Sequence, residues 1–208
     1  MALRPQDVVV VLKFAASGSK AFTYAQLGEE LLMSPSQVFR SVERAEVARL
    51  LDPSLLDSYS LRIASARAKA EELLDRISSA EVNLPSRVQN PPMSRPIRSN
   101  VKEFLIHGVK YSFPVTRGGL VRGIPTAHAA APLDKEIAQA FEPPPVWPDA
   151  EGNVRGTAFS PLYKNVPAAT RRDAKLYELL ALVDAIRDGR TREREIAIRE
   201  LTTRIDAT

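Results

Sequence analysis

The chain of 208 residues contains no cysteine. Disulfides, thiolate nucleophiles and cysteine-ligated zinc are thereby excluded. Histidine is scarce: His107 and His128 stand alone, with no carboxylate cluster close in sequence, so neither a metal nor another cofactor is expected. No Ser-His-Asp or paired-carboxylate arrangement can be picked out either, and the expectation is a protein that is not an enzyme, without catalytic residues. Long apolar runs are missing as well. Residues 8–12 form one, bracketed by Asp7 and Lys13, and a membrane-spanning helix needs about 20 apolar residues. The same run is too short for a secretory core, although residues 14–17 have the look of a cleavage site, so a mature, cytoplasmic N-terminus with no membrane contact is expected.

What is present is unevenly placed. Of 16 prolines, 13 lie between Pro85 and Pro167, which leaves both ends free to be helical and makes the middle loop-rich. The fold class expected is mainly α: a helical N-terminal head, a loop-rich, proline-containing middle with a few short strands, and a helical C-terminal tail. The corresponding division is 1–53 for the head, 54–83 for a linker or dimerisation helix, 84–170 for the middle and 171–208 for the tail. The net charge of +4 is modest, but residues 84–123 carry seven bases against Glu103 alone, whereas 133–153 carry five acids against one base. Clustered positive charge raises the local potential and favours an anionic partner, unless it is an ordinary solvated loop.

In the head, residues 5–16 suit a helix with Pro5 in its first turn, or a strand, given the valines. Thr23 and Ser34 each stand three residues before a glutamine, Gln26 and Gln37, in two Ser/Thr-x-x-Gln capping boxes that mark helix starts. Leu27, Leu31 and Leu32 then form one apolar face, with Gly28 admitting a neighbouring helix. On 35–50 the apolar face is Val38, Val42, Ala45 and Ala48, which leaves Ser36, Gln37, Arg40, Ser41 and Arg44 on the other. Such a polar face is either solvated surface or a set of donors at the depth of a DNA major groove, where arginine binds guanine and glutamine binds adenine.

The stretches 23–28 and 34–40 resemble the MarR-like winged helix-turn-helix proteins of bacteria, over residues 5–51. That family carries the pattern T-Y-x-x-L-A-x-x-L-x-x-S-x-S-x-V-x-R on a scaffold helix, a turn and a recognition helix; here Gly28 stands where alanine is usual. The resemblance implies double-stranded DNA as partner. The nucleic-acid-binding residues expected are Thr23, Tyr24, Ser34, Ser36, Gln37, Arg40, Ser41 and Arg44. Arg49 replaces the family's glycine before the wing, and no hairpin is evident after Leu51, so the wing is either absent or displaced to 94–115, with Arg95, Arg98 and Lys102 touching phosphates.

Beyond the head, Ile63, Ala66, Ala70, Leu73 and Ile77 make a heptad-like stripe that needs a partner, either a second copy or the tail. Asn100 to Glu103 reads as a third capping box opening a short helix that Gly108 closes, and Val109 to Val115 as a strand. Residues 117–123, with three glycines and two arginines, read as a hairpin turn or, less simply, a phosphate cradle. Pro143 to Pro145 suggest a polyproline turn and Trp147 a core or interface anchor. In the tail, Leu176, Leu179, Leu180, Val183 and Ile186 line a helix ending near Gly189, and Ile198, Leu201 and Ile205 line the last. The function expected is a sequence-specific transcriptional regulator acting as a homodimer. Two alternatives remain: an antitoxin-like or defence-system accessory protein that binds a cognate partner through 84–208, and a small enzyme working on a phosphorylated ligand at 117–123.

Overall fold

The computed structural model describes residues 2–18, 20, 22–52, 94–137 and 143–207. It is mainly helical with one small three-stranded sheet. The stripe at 60–79 lies outside the described residues. No helix among them is long and apolar enough to cross a membrane.

The first element, α1 (Pro5–Ser17), is a helix despite its valines, because residues 7–16 are buried on every side and burial outweighs a few tenths of a kcal/mol of propensity per residue. Two short helices, α2 (Tyr24–Leu31) and α3 (Pro35–Val47), pack on it and on each other. Both capping boxes form: Gln26 N–H donates to Thr23 Oγ1 at 3.1 Å and Thr23 N–H to Gln26 Oε1 at 2.9 Å, and Ser34 and Gln37 repeat this at 3.2 and 3.0 Å. Between them the chain turns through Leu32, which takes the left-handed conformation with φ 55°. Gly28 is required here, since a Cβ would sit 2.6 Å from the Met33 carbonyl oxygen.

After α3, Leu51 and Pro96 face each other in an antiparallel bridge, with Asp52 N–H donating to Arg95 C=O at 2.8 Å and Ile97 N–H to Leu50 C=O at 3.0 Å. From there α4 (Arg98–Glu103) runs through a π-helical turn (Phe104–Gly108) into α5 (Val109–Ser112). Three expectations are corrected at this point. Gly108 does not close the helix and 109–115 is not a strand, because Val101, Leu105 and Val109, four apart, are all buried and carry the helix past the glycine. Asn100 does not cap; its side chain donates to Arg49 C=O at 2.8 Å instead.

The sheet consists of β1 (Arg117–Pro125), β2 (Pro145–Pro148) and β3 (Val154–Phe159), closed on itself: β1 is antiparallel to both others, and β2 and β3 touch in parallel at Val146 and Ala158. Residues 117–123 are therefore strand, not a hairpin turn or a cradle. Their glycines serve close backbone approach: a Cβ on Gly123 would lie 2.1 Å from the Trp147 carbonyl oxygen. Pro145 opens β2, the position in a strand that tolerates a missing N–H.

A short helix, α6 (Val166–Thr170), leads to α7 (Ala174–Asp188), and α8 (Thr191–Asp206) packs back on it. The helix α7 is buried continuously from Leu179 to Arg187 and touches α1 and α5 as well. It also anchors the sheet. Asp184, fully buried, accepts from Trp147 Nε1 at 2.6 Å, Thr126 Oγ1 at 2.8 Å and the Arg187 guanidinium at 2.6 Å. One hydrophobic cluster runs from Val8 in α1 through Trp147 and Phe159 to Ile205 in α8.

Candidate nucleic-acid interface

On α3 the polar face expected from the sequence divides in two. Ser36, Gln37 and Arg40, in its first two turns, are exposed, with half-buried Glu43 and then exposed Val47 continuing the stripe. Ser41 and Arg44 are buried, which corrects both as groove-reading residues. The Arg44 guanidinium donates to both oxygens of Asp7, at 2.8 and 2.7 Å, and to Ser41 Oγ at 3.2 Å. Asp7 is itself inaccessible and also accepts from Arg4 N–H at 2.7 Å, so it caps α1 while pairing with α3. Hydrogen bonds to Asp7 hold the Arg44 guanidinium above its usual range. Its charge is satisfied inside the protein.

Tyr24 is likewise corrected: it is buried edge-on against Phe39 at 5.4 Å and packs α2 onto α3. Thr23 and Ser34 spend their hydroxyls as caps. Gln37 Oε1 accepts from Ser34 N–H and Ser34 Oγ, leaving its amide nitrogen as the group turned to solvent. A bidentate adenine contact needs both ends of the amide, so Gln37 offers donation only.

The basic segment fares unevenly. Arg98 donates to the Asp206 backbone carbonyl at 3.1 Å and Lys102 pairs with the Asp206 carboxylate at 2.6 Å, so both touch the end of α8. Arg95 is exposed, and its side chain has no ion-pair partner among the described residues. The displaced wing at 94–115 is corrected too, since most of it is helix. Arg95 and exposed Arg49 instead flank the bridge between Leu51 and Pro96.

Two contributors lie beyond reach of local pattern. Asp7 carries no sequence sign that its partner is 37 residues away. Asn165, 133 residues from Leu32, donates to the carbonyl of that turn residue, and exposed Lys164 immediately precedes it in the chain. Nearby, Lys13 is buried and pairs with Asp173 at 2.6 Å and with Glu30, tying α1, α2 and the start of α7 together. Burial would raise Asp173 and Glu30, but bonding to Lys13 outweighs it and holds both carboxyls below their usual range.

Among the described residues no group of three or more His, Asp or Glu is placed to hold a metal ion. Compared with known proteins, the chain matches no family model, no curated protein and no solved structure.

Proposed function

We propose that the chain is a sequence-specific double-stranded-DNA-binding regulator of transcription, acting in the cytoplasm, with the N-terminal half of α3 in the major groove. The observation that carries the reading is the exposed set Ser36, Gln37 and Arg40 on a helix whose other face is fixed by Val38, Val42 and the buried Arg44–Asp7 pair. A recognition helix needs this combination, because base-edge contacts require side chains held in register by a rigid scaffold. Two helices joined by a tight turn, the first crossing the backbone and the second entering the groove, are the arrangement that the resemblance to MarR-like winged helix-turn-helix proteins implies. Arg40 is the base-reading group. Arg49, Arg95 and Lys164 supply phosphate contacts at the rim.

Homodimer pairing on a two-fold symmetric operator enters the proposal from the sequence alone, through the stripe at 60–79. The tail stripe is not free for it, since Leu176, Leu179, Leu180, Val183 and Ile186 are all buried within the chain.

The test is selection of duplexes from a random pool, followed by titration of variants on the selected site and on random DNA. Arg40→Ala is expected to cost about 1–3 kcal/mol on the selected site and to relax preference at one base pair per half-site. Arg95→Ala is expected to weaken both duplexes alike and to lower the slope of log affinity against log salt by about one unit. If Arg40→Ala binds the selected site as the unmodified protein does, α3 presents only solvated surface, and the reading as a protein-interaction module becomes the better one.

A further inference from the structure

The backbone of β1 offers more bonding capacity than its partners use. Asp149 N–H donates to Arg122 C=O at 3.1 Å, and Thr126 N–H donates to Pro145 C=O at 3.0 Å, so the even-numbered residues of β1 aim their peptide groups toward the β2 side. By the alternation of an antiparallel ladder, Val121 and Gly123 aim theirs at β3. Yet β2 covers β1 only from Gly123 to Pro125. The N–H and C=O of Leu120 and the N–H of Arg122 therefore face an open edge. Among the described residues nothing stands in the way there: residues 117–120 are all exposed, Leu120 is 55% accessible, and a Cβ built on Gly119 would meet no atom within 4 Å.

The side chains beside this edge have one sign. Arg122 lies directly opposite Arg155, in the non-hydrogen-bonded kind of pair that brings side chains closest. Like charges so placed destabilise a sheet. Both are exposed, and neither has an acidic partner among the described residues. The neighbouring acids are committed elsewhere: Asp188 pairs with Arg117 at 2.6 Å, and Asp149 and Glu151 both pair with Arg171. Leu120 and Thr157, the next rung on the same face, add an apolar patch and a hydroxyl.

We propose that this edge binds an extended acidic segment of another protein by strand addition, its backbone bonding Leu120 and Arg122 and its alternate carboxylates facing Arg122 and Arg155. A second copy of the chain is disfavoured, since edge-to-edge pairing would set Arg122 beside its own counterpart. Nucleic acid would use the arginines and leave the open amides idle. The proposal is independent of the DNA reading, because it involves no residue of α3.

The test uses the full chain and a fluorescein-labelled peptide of about ten residues, strand length, alternating glutamate and valine. Its lysine–valine counterpart and a labelled oligothymidylate serve as comparisons. Saturable binding of the acidic peptide is expected, with none of the lysine peptide. Leu120→Pro removes an outward N–H that takes no part in the ladder to β3, and it should weaken binding at least about tenfold. Arg122→Glu with Arg155→Glu should do the same, and thermal melting checks that both variants remain folded. The proposal fails if the acidic peptide does not saturate. It fails equally if Leu120→Pro binds that peptide as the unmodified chain does, or if oligothymidylate displaces it and is held normally by Leu120→Pro, which would mark a charge-only nucleic-acid surface. Self-association that Leu120→Pro abolishes would assign the edge to a second copy and also overturn it.

Discussion

Replacing Arg44 by alanine strands Asp7 as an uncompensated charge at an inaccessible position, and breaking a buried pair in this way costs about 3–5 kcal/mol. Urea unfolding should show that loss, and the double variant Arg44→Met with Asp7→Leu should recover most of it, because two apolar groups leave nothing unpaired. Arg40 should behave oppositely, with DNA affinity lost and stability unchanged. Glu46 is a second buried charge, accepting from Ser94 Oγ at 2.6 Å, and burial pushes its carboxyl up, with Glu43 and Asp52 adding to the push. A carboxyl raised in the fold holds its proton more tightly there than in the unfolded chain, so its contribution declines as pH rises through the folded value. Glu46→Gln keeps the acceptor and removes the charge. It is therefore expected to gain stability relative to the unmodified protein as pH rises above the unfolded carboxyl value of about 4, read from denaturation midpoints at each pH. Asp173 and Glu30 have the reverse sign: their lowered carboxyls stabilise the fold above the unfolded value of about 4, and that contribution disappears as pH falls through the lower folded values. Lys13→Met should flatten this acid limb.

The turn between α2 and α3 shows how an element can be held by less than ideal chemistry. Leu32 occupies a left-handed position that glycine fills without strain, at a cost of roughly 1 kcal/mol for an L side chain, and it is 37% accessible, so little packing is lost with it. Leu32→Gly should raise the melting temperature, whereas Gly28→Val should lower it by forcing the Met33 carbonyl away. Local signals made these elements legible: both capping boxes, the helix end at Gly189 and the stripes of α7 and α8 could be read from spacing alone. Where the fold departs from these local signals, a tertiary contact overrides a local rule. Gly108 looked like a stop until Leu105 and Val109 drew the helix onward, and the glycines of β1 looked like a turn because closing three strands at Gly123 is invisible in the order of residues. The polar face of α3 was legible as a face. That Arg44 turns inward was not, because its partner lies on another helix.

At the scale of the whole molecule, α7 is the post on which the N-terminal helices, the sheet and α8 all lean, through Asp184 and the apolar residues around it. Trp147, the one tryptophan, reports on the sheet end of that assembly, while helicity reports mostly on the rest. Unfolding followed by fluorescence and by circular dichroism should coincide if the continuous cluster from Val8 to Ile205 behaves as one cooperative unit. The bridge between Leu51 and Pro96 carries a different implication. Because Asp52 and Arg95 are joined by a hydrogen bond of 2.8 Å, the two residues that border 53–93 on the described chain stand side by side. In the language of protein engineering, two chain ends so placed can be joined by a short turn. Exchanging 53–93 for a short glycine-rich turn is expected to give a chain that still folds, checked by circular dichroism and thermal melting. If the unmodified protein is the proposed dimer, a folded, monomeric product would locate the pairing in the excised part, and the same junction would then accept an unrelated domain in its place.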